Sequence, residues 1–332
     1  MAPPPAAPEA PPLRPRHSLT AWAAGLLLVV PAVTAACRFL DTDAVTPVPQ
    51  LLSFLPWLTV PAALGVLLAA AARRRALAFT AVVVLAVTAW STLPYLPQAV
   101  TAYGGLPITR VRVLAANVEF GQATEALIGT IRRERPRLVF VSECDHVCGH
   151  ALTSTFAAEL PHHASVDSGG SAGSVLLSAY PLSDEEVIPA VMGMPGATAE
   201  IAGRPVRVQL AHPMPPLPGQ VDLWKRELGR IEKAAAERPP RTPMLLAGDF
   251  NASQDHHAFR AILRTGHVQD AARQARTSRT PTWPTEGPLP PYVQIDHVLV
   301  SDHFSVAALR FPALPGSDHR AVLADLDLRG ER

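Results

Sequence analysis

Charge is scarce in this chain. Asp, Glu, Lys and Arg make up 17% of its 332 residues, against roughly a quarter in an ordinary soluble domain. The shortage is local: ten of these residues lie in positions 1–110 and all the others beyond. Cysteine is scarcer still, with three residues, which excludes a disulfide-dense miniprotein. A net charge of +1 supplies no global basic footprint for nucleic acid. Lysine is nearly absent beside arginine, a bias of genomic base composition rather than a binding code. No internal repeat or collagen-like period occurs, and 48% hydrophobic residues exclude a disordered chain. The length allows about two domains.

What the first third does contain is apolar runs. Residues 1–17 hold seven prolines and read as a disordered, Pro-rich tail. Ser18–Cys37, Leu51–Ala72 and Ala76–Val100 carry no charge. Each can cross a hydrocarbon core of about 30 Å as a helix, which predicts three transmembrane helices at about 18–37, 51–72 and 76–97, with Pro31, Pro56 and Pro61 as kinks. Arg14 and Arg16 precede the first run and Arg73-Arg74-Arg75 separate the second from the third, whereas Asp41 and Asp43 lie between the first two. Basic flanks stay cytoplasmic, so the N-terminus is expected inside and everything after residues 101–110, a Pro/Gly linker, outside. A cleaved signal peptide ending near Ala35-Ala36 is the competing reading of the first run.

Residues 111–332 alternate short apolar runs with helical patterns. Strands are expected at Val111–Asn117, Arg137–Glu143, Ser174–Ser178, Thr198–Ala202, Arg204–Ala211, Pro243–Gly248, Val293–Ser301, Ser305–Phe311 and Ala321–Leu328. Helices are expected at Thr124–Arg135, Asp222–Arg238 and His257–Thr265. This mixture predicts an α/β or α+β domain with buried sheets.

Polar residues gather at the strand ends: Asn117-Val118-Glu119, Glu143, His212, Gly248-Asp249-Phe250-Asn251, Asp296-His297 and Ser317-Asp318-His319. One carboxylate after a strand is an ordinary turn former; six such segments are a constellation. In content and order they resemble the endonuclease/exonuclease/phosphatase superfamily over roughly residues 110–328. The resemblance implies a DNase I-like four-layer sandwich of two packed mixed sheets and a phosphohydrolase dependent on Mg²⁺ or Mn²⁺. It implies that Glu143, with Glu119 and Asp318, binds metal, and that Asp249 orients or deprotonates water. Asn251 would stabilise the phosphorane-like oxygens, Asp296 and His319 form a carboxylate–imidazole pair, His212 lies near the leaving group, and Asn117 flanks the metal. Hard oxygen ligands in small number suit such cations.

Departures and alternatives stand beside that reading. Ser178-Ala179-Tyr180-Pro181 lacks the arginine of many relatives, and residues 111–332 hold slightly more acidic than basic groups, which weighs against nucleic acid as substrate. Cys144 and Cys148 suit a disulfide or, with His146 and His150, a zinc site. His162-His163 and His256-His257 are expected on loops or helix starts, and Trp283 on a packed loop beside the site. The order of tail, spans and outward domain is similar to that of actinomycete envelope proteins associated with teicoplanin resistance. That similarity implies the cell membrane as partner and a lipid-linked, undecaprenyl pyrophosphate-type substrate. A secreted-side nuclease and a catalytically dead envelope sensor are the alternatives.

Overall fold

The computed structural model describes residues 17–92, 105–239, 241–287 and 292–330. It divides into two compact units: Met1–Ala36 with Leu55–Thr92, and Cys37–Phe54 with Leu93–Arg332. Residues 1–16 and 93–104, which include most of the expected tail and the end of the third expected span, lie outside the described residues.

The N-terminal helices are α1 (His17–Phe39), α2 (Val48–Ser53), α3 (Thr59–Ala71), preceded by a 3₁₀ turn Leu55–Leu58, and α4 (Arg75–Thr92). Two stretches, Leu19–Phe39 and Arg75–Thr92, are long and apolar enough to cross a membrane; Leu55–Ala71 is apolar but shorter. The expected single span over 51–72 is therefore corrected. It breaks at Phe54, and residues up to Phe54 pack in the second unit. Pro56 and Pro61 lack the N–H that an interior helical turn needs, so they begin this helix instead of kinking it. Small residues bring the helices together: Ala24, Leu28, Ala69 and Ala81 are buried against one another. A Cβ on Gly65 would lie 2.8 Å from Leu28 Cδ2, so this glycine lets the Leu28 side chain pack against the α3 backbone.

The second unit contains twelve strands among its described residues. The elements are β1 (Pro107–Asn117), α5 (Thr124–Glu134), β2 (Leu138–Ser142), α6 (His146–Thr155), β3 (His162–Val166), β4 (Ser174–Ser178), β5 (Leu182–Val187) and β6 (Pro195–Ile201). They continue with β7 (Arg204–Ala211), α7 (Val221–Ala236), β8 (Met244–Asp249), α8 (His257–Thr265), β9 (Val268–Asp270), α9 (Ala271–Gln274), β10 (Asp296–Ser301), β11 (Phe304–Arg310) and β12 (Val322–Arg329). One sheet runs β11-β12-β1-β2-β4-β3 and the other β5-β6-β7-β8-β10-β9. β1–β2 and β7–β8 are parallel, at the centre of their sheets.

Alternation along the strands builds the layers. Val111, Val113 and Ala115 of β1 face Val208, Leu210 and Leu245 of the other sheet across a common core. Leu114 and Ala116 turn the other way, onto Leu127 and Ile131 of α5 and Leu152 of α6. On the far side, Trp224 and Leu228 of α7 and Phe259 and Ile262 of α8 cover Leu246 and Leu299. The result is the expected four-layer, DNase I-like sandwich. At the β6–β7 hairpin both central residues, Ala202 (φ 52°) and Gly203 (φ 77°), have positive φ, as a two-residue turn matched to strand twist requires.

The elements β3, β5, β9, α6 and α9 were not expected. β3 and β5 are the outermost strands of their sheets, and β3 buries only Ala164 while β5 buries nothing. Edge strands are kept polar to discourage pairing with other chains, so they carry no apolar signature. His162-His163 accordingly lie in a strand, not a loop. The Cys144–His150 segment begins α6, where Cys144 and Cys148 form a disulfide. The predicted linker is also shorter than 101–110, since β1 already begins at Pro107.

Candidate active site

Register brings the polar strand ends together. β1 and β2 pair Asn117 with Ser142, so Asn117 and Glu143 emerge side by side. β7 and β8 pair Ala211 with Gly248, which sets His212 beside Asp249. β10 runs antiparallel to β8 and opposes Asp296 directly to Asp249. The turn before β12 is tied to β1: Ser317 Oγ donates to the Asn117 carbonyl at 2.8 Å, and the Asp318 N–H donates to Glu119 Oε2 at 2.8 Å.

The side chains then meet. Asn117 Nδ2 donates to Glu143 Oε1 at 3.0 Å and to Asp249 Oδ2 at 3.2 Å, bridging the two sheets. Its Oδ1 accepts from the Glu119 N–H at 2.9 Å, which turns the chain at the strand end. Glu143 Oε2 accepts from the Phe120 N–H at 3.2 Å. His319 Nδ1 pairs with Asp296 Oδ2 at 2.9 Å, while Nε2 lies 3.8 Å from Asp249 Oδ2 and 3.6 Å from Asp318 Oδ1. His212 Nε2 lies 3.8 Å from Glu143 Oε1 and 4.0 Å from Asp249 Oδ2. Trp283 Nε1 donates to Asp318 Oδ2 at 2.8 Å, so the tryptophan does lie on a packed loop beside the site. Asn251 sits at the rim. Its N–H donates to Asp249 Oδ1 at 2.8 Å and its Nδ2 to the Pro213 carbonyl at 2.9 Å.

Electrostatics separates the groups. Burial pushes Asp249 up to about 7; the His319 charge opposes this, and Asp296 and Glu143 reinforce it. Burial disfavours the His319 cation, but Asp296 and Asp249 outweigh it and raise that imidazole to about 10. His212 goes the opposite way, to about 3, because burial and the charge on His319 both oppose protonation. Burial also moves Glu119 upward, aided by Asp318, Glu286 and Glu143 and opposed by the Asp318 N–H. The two histidines thus have opposite character: one a held cation, one neutral.

Glu119, Phe120, Glu143 and Asn251 all have φ between 46° and 57°. Non-glycine residues there are held against a steric cost, and such backbone clusters at functional sites. Gly248 has φ 142°, and a Cβ on it would lie 2.3 Å from the Ala211 carbonyl oxygen. Its missing side chain lets β7 approach β8 closely enough to bring His212 against Asp249.

Two observations bear on a cation. Neither ring nitrogen of His212 has a hydrogen-bond partner, although the residue is fully buried; a buried orphan calls for a ligand. The carboxylates of Glu143 and Asp318 are hard oxygen donors, 16% and 32% exposed toward solvent, as a hydrated divalent ion requires. Among the described residues, the atoms that converge within 4.8 Å of one another belong to Asp249, Asp296 and His319, a possible metal site. This differs from the expected set of Glu143, Glu119 and Asp318, and Glu119 already spends one oxygen on a backbone N–H.

Several residues around the site had no expected role. His297, adjacent to Asp296 but on the opposite face, pairs with Asp270 at 2.9 Å and with the Ala252 carbonyl at 3.1 Å, bracing the turn that carries Asn251. Trp224 Nε1 donates to the Asn251 carbonyl at 3.0 Å. Strand alternation could have separated the two faces of Asp296-His297; nothing local marks Trp224.

The Endonuclease/Exonuclease/phosphatase family profile matches residues 114–319, more than half of the chain. No curated protein matches the sequence. Similar solved structures include D. rerio TDP2 complexed with single strand DNA product, at 15% identity and TM-score 0.54, covering 66% of this chain and 99% of that one. The human Nocturnin catalytic domain with bound sulfate anion is 14% identical, TM-score 0.54, covering 68% and 97%. The endonuclease/exonuclease/phosphatase from Bacteroides vulgatus is 18% identical, TM-score 0.53, covering 67% and 100%. With the two-sheet fold and the profile in agreement, the chain belongs to the Endonuclease/Exonuclease/phosphatase family of phosphoester hydrolases.

Proposed function

We propose that this protein is a membrane-anchored, outward-facing, divalent-metal-dependent hydrolase of phosphoric esters or anhydrides, acting on a lipid-linked envelope substrate. The observation that carries the reaction class is the convergence of Asn117, Glu143, His212, Asp249, Asp296, Asp318 and His319 from separate strand ends onto one rim.

Glu143, with Asn117 and Asp318 beside it, would hold Mg²⁺ or Mn²⁺, and Glu119 would support it by fixing the Asp318 backbone. Bound there, the ion would act as Lewis acid and template for the phosphate. Asp249 has a basicity near neutral pH, suited to taking a proton from the attacking water. Asp296 fixes the His319 ring by accepting from Nδ1 and keeps it cationic, so that Nε2 can donate to the bound phosphate. As the water oxygen bonds to phosphorus and the P–O bond to the leaving group breaks, His319 can protonate the departing oxygen. His212, neutral and unpartnered, offers a donor beside that oxygen. Asn251 holds the rim at which the phosphate oxygens sit.

Four features support the membrane part. Large apolar side chains lie exposed along the helices, among them Leu19, Leu26, Val60, Leu67, Phe79 and Val82, a surface that water penalises and lipid accepts. Trp22, Trp57 and Trp90 are exposed near helix ends, as interfacial belts have them. Leu55–Ala71 has 17 residues, about 25 Å at 1.5 Å per residue and at the short limit for a span. Finally, Cys37–Phe54, which begins in the last turn of α1, packs in the same unit as the sandwich. Both must then lie on one face of a bilayer, and an even number of crossings must separate them; 55–71 and α4 supply two. With the N-terminus cytoplasmic, the catalytic unit is extracellular. Anchoring raises effective concentration only for substrates at the membrane. The layout resembles the actinomycete teicoplanin-resistance membrane protein VanJ, which favours an undecaprenyl pyrophosphate-type carrier.

The competing substrate is nucleic acid, since a similar structure holds single strand DNA product; the acidic balance of residues 111–332 opposes it. Purified protein offered undecaprenyl pyrophosphate and plasmid DNA, with Mg²⁺ and with chelator, decides. Metal-dependent phosphate release from the lipid is expected, and DNA nicking without lipid turnover refutes the lipid reading. A reporter fused at residue 105 should signal outside the cytoplasm.

A further inference from the structure

The segment Cys37–Phe54 is fastened to the catalytic unit at several points. Asp43 accepts from the backbone N–H groups of His257 at 2.6 Å and Ala258 at 2.9 Å, capping α8, whose own N-cap side chain makes no cap bond. Asp41 pairs with Arg260 and with His257 Nδ1. Lys225 Nζ on α7 donates to the Ala44 carbonyl at 2.9 Å. Gln50 Nε2 donates to the Pro216 carbonyl, in the loop that follows His212.

Two further contacts lead inward to residues of the site. The Ser253 N–H donates to His256 Nδ1 at 2.9 Å. That leaves the neutral ring's proton on Nε2, which donates it to the Pro49 carbonyl at 2.7 Å. The fully buried His256 ring meets Trp224 edge-on at 5.1 Å, and Trp224 Nε1 holds the Asn251 carbonyl. On the other side Phe54 stacks on Tyr292 at 4.7 Å, Tyr292 meets Trp283 edge-on at 5.8 Å, and Trp283 Nε1 holds Asp318. The Trp283 ring lies 6.4 Å from that of His319.

We propose that the 37–54 segment is a positioning element of the active site, with Phe54 acting through Tyr292 and Trp283 on Asp318 and His319, and Pro49 acting through His256 and Trp224 on Asn251. This rests on the phosphohydrolase reading above and goes beyond it: the loop between the first two apolar helices completes the catalytic rim. None of these residues touches the reacting phosphate. Their effect is geometric, and misplacement of a catalytic group by about 1 Å can cost around 100-fold in rate.

The test uses the full-length protein in detergent micelles with Mg²⁺ and bis-p-nitrophenyl phosphate as probe. Wild type is compared with Phe54→Ala, Phe54→Tyr and Val45→Ala, the last altering an exposed side chain of the same segment. Phe54→Ala is expected to lower kcat about tenfold while KM moves less than about twofold. Phe54→Tyr should recover most of the rate, and Val45→Ala should match wild type. Amide deuterium exchange in Phe54→Ala should accelerate at Thr285, whose N–H donates to the Asp318 carbonyl at 2.7 Å, and at residues 317–319, with β2 and β8 unchanged. Wild-type kcat and exchange in Phe54→Ala overturn the proposal; so does acceleration spread through both sheets, which makes Phe54 a general stability residue. If wild type turns over no phosphoester, the functional reading fails, and the exchange pattern alone decides whether the segment orders the rim.

Discussion

Replacing Asp249 with Asn should make the metal-free protein more stable and inactive. The carboxylate is buried and its folded pKa is raised from 3.8 to about 7. Between those values the native state holds a proton that the unfolded chain has released, so stability falls as pH rises and the full penalty is present above about 7. At 1.36 kcal/mol per unit the penalty reaches about 4 kcal/mol. Asn removes the charge, but its amide then faces the Asn117 Nδ2 donor that Oδ2 now accepts from, a mismatch worth about 1–3 kcal/mol. A net gain of about 1–3 kcal/mol remains. Full-length protein in detergent with chelator, unfolded by denaturant at pH 8 and pH 4, provides the assay. Asp249→Asn should raise the midpoint at pH 8 and lower it at pH 4, where the folded carboxyl is protonated, the charge penalty has nearly vanished and the amide mismatch remains. Phosphoester hydrolysis should drop about 10³-fold, the contribution of a positioned base. A variant destabilised at pH 8, or equally stabilised at both pH values, would refute the burial argument; retained activity would refute the role.

Other consequences follow from single contacts. Gly248→Ala should cost about 2–4 kcal/mol, because a Cβ there meets the Ala211 carbonyl at 2.3 Å and left-handed backbone adds strain; its denaturant midpoint should fall and hydrolysis with it. Removing the Asp43 carboxylate by Asp43→Ala should cost about 1–2 kcal/mol by leaving the first turn of α8 uncapped, readable as faster amide exchange at His257 and Ala258. Reducing the Cys144–Cys148 bond opens a loop of four-residue separation, worth about 2 kcal/mol by chain entropy; intact mass after alkylation, with and without reductant, should show the pair oxidised and Cys37 free. Raising pH through about 10 should release the His319 proton. Its pKa lies above the unfolded 6.5, so its stabilising contribution is complete below 6.5 and lost through that upper range, a loss His319→Gln should abolish.

Much of the sandwich was legible because its central strands and covering helices carry strong patterns. Ser174–Ser178, Arg204–Ala211 and His257–Thr265 appear at the expected bounds. β3 and β5 were illegible because an edge strand needs no apolar face. The second apolar run misled for a related reason: Leu51, Leu52 and Phe54 look like the start of a span, yet Leu52 is buried in the catalytic unit. Hydropathy measures the wish to leave water, not which apolar phase is entered.

The sequence by itself determined which chemistry is available, since carboxylates, amides and imidazoles at strand ends are fixed by residue type and by a period of two. Only the tertiary structure decided their charge states and their partners. Asp249 and His319 acquire their basicities from burial and from each other, and His256, Asp43 and Phe54 gain meaning only where chain segments some 200 residues apart come into contact. Such contacts depend on register and sheet packing, which no local pattern encodes.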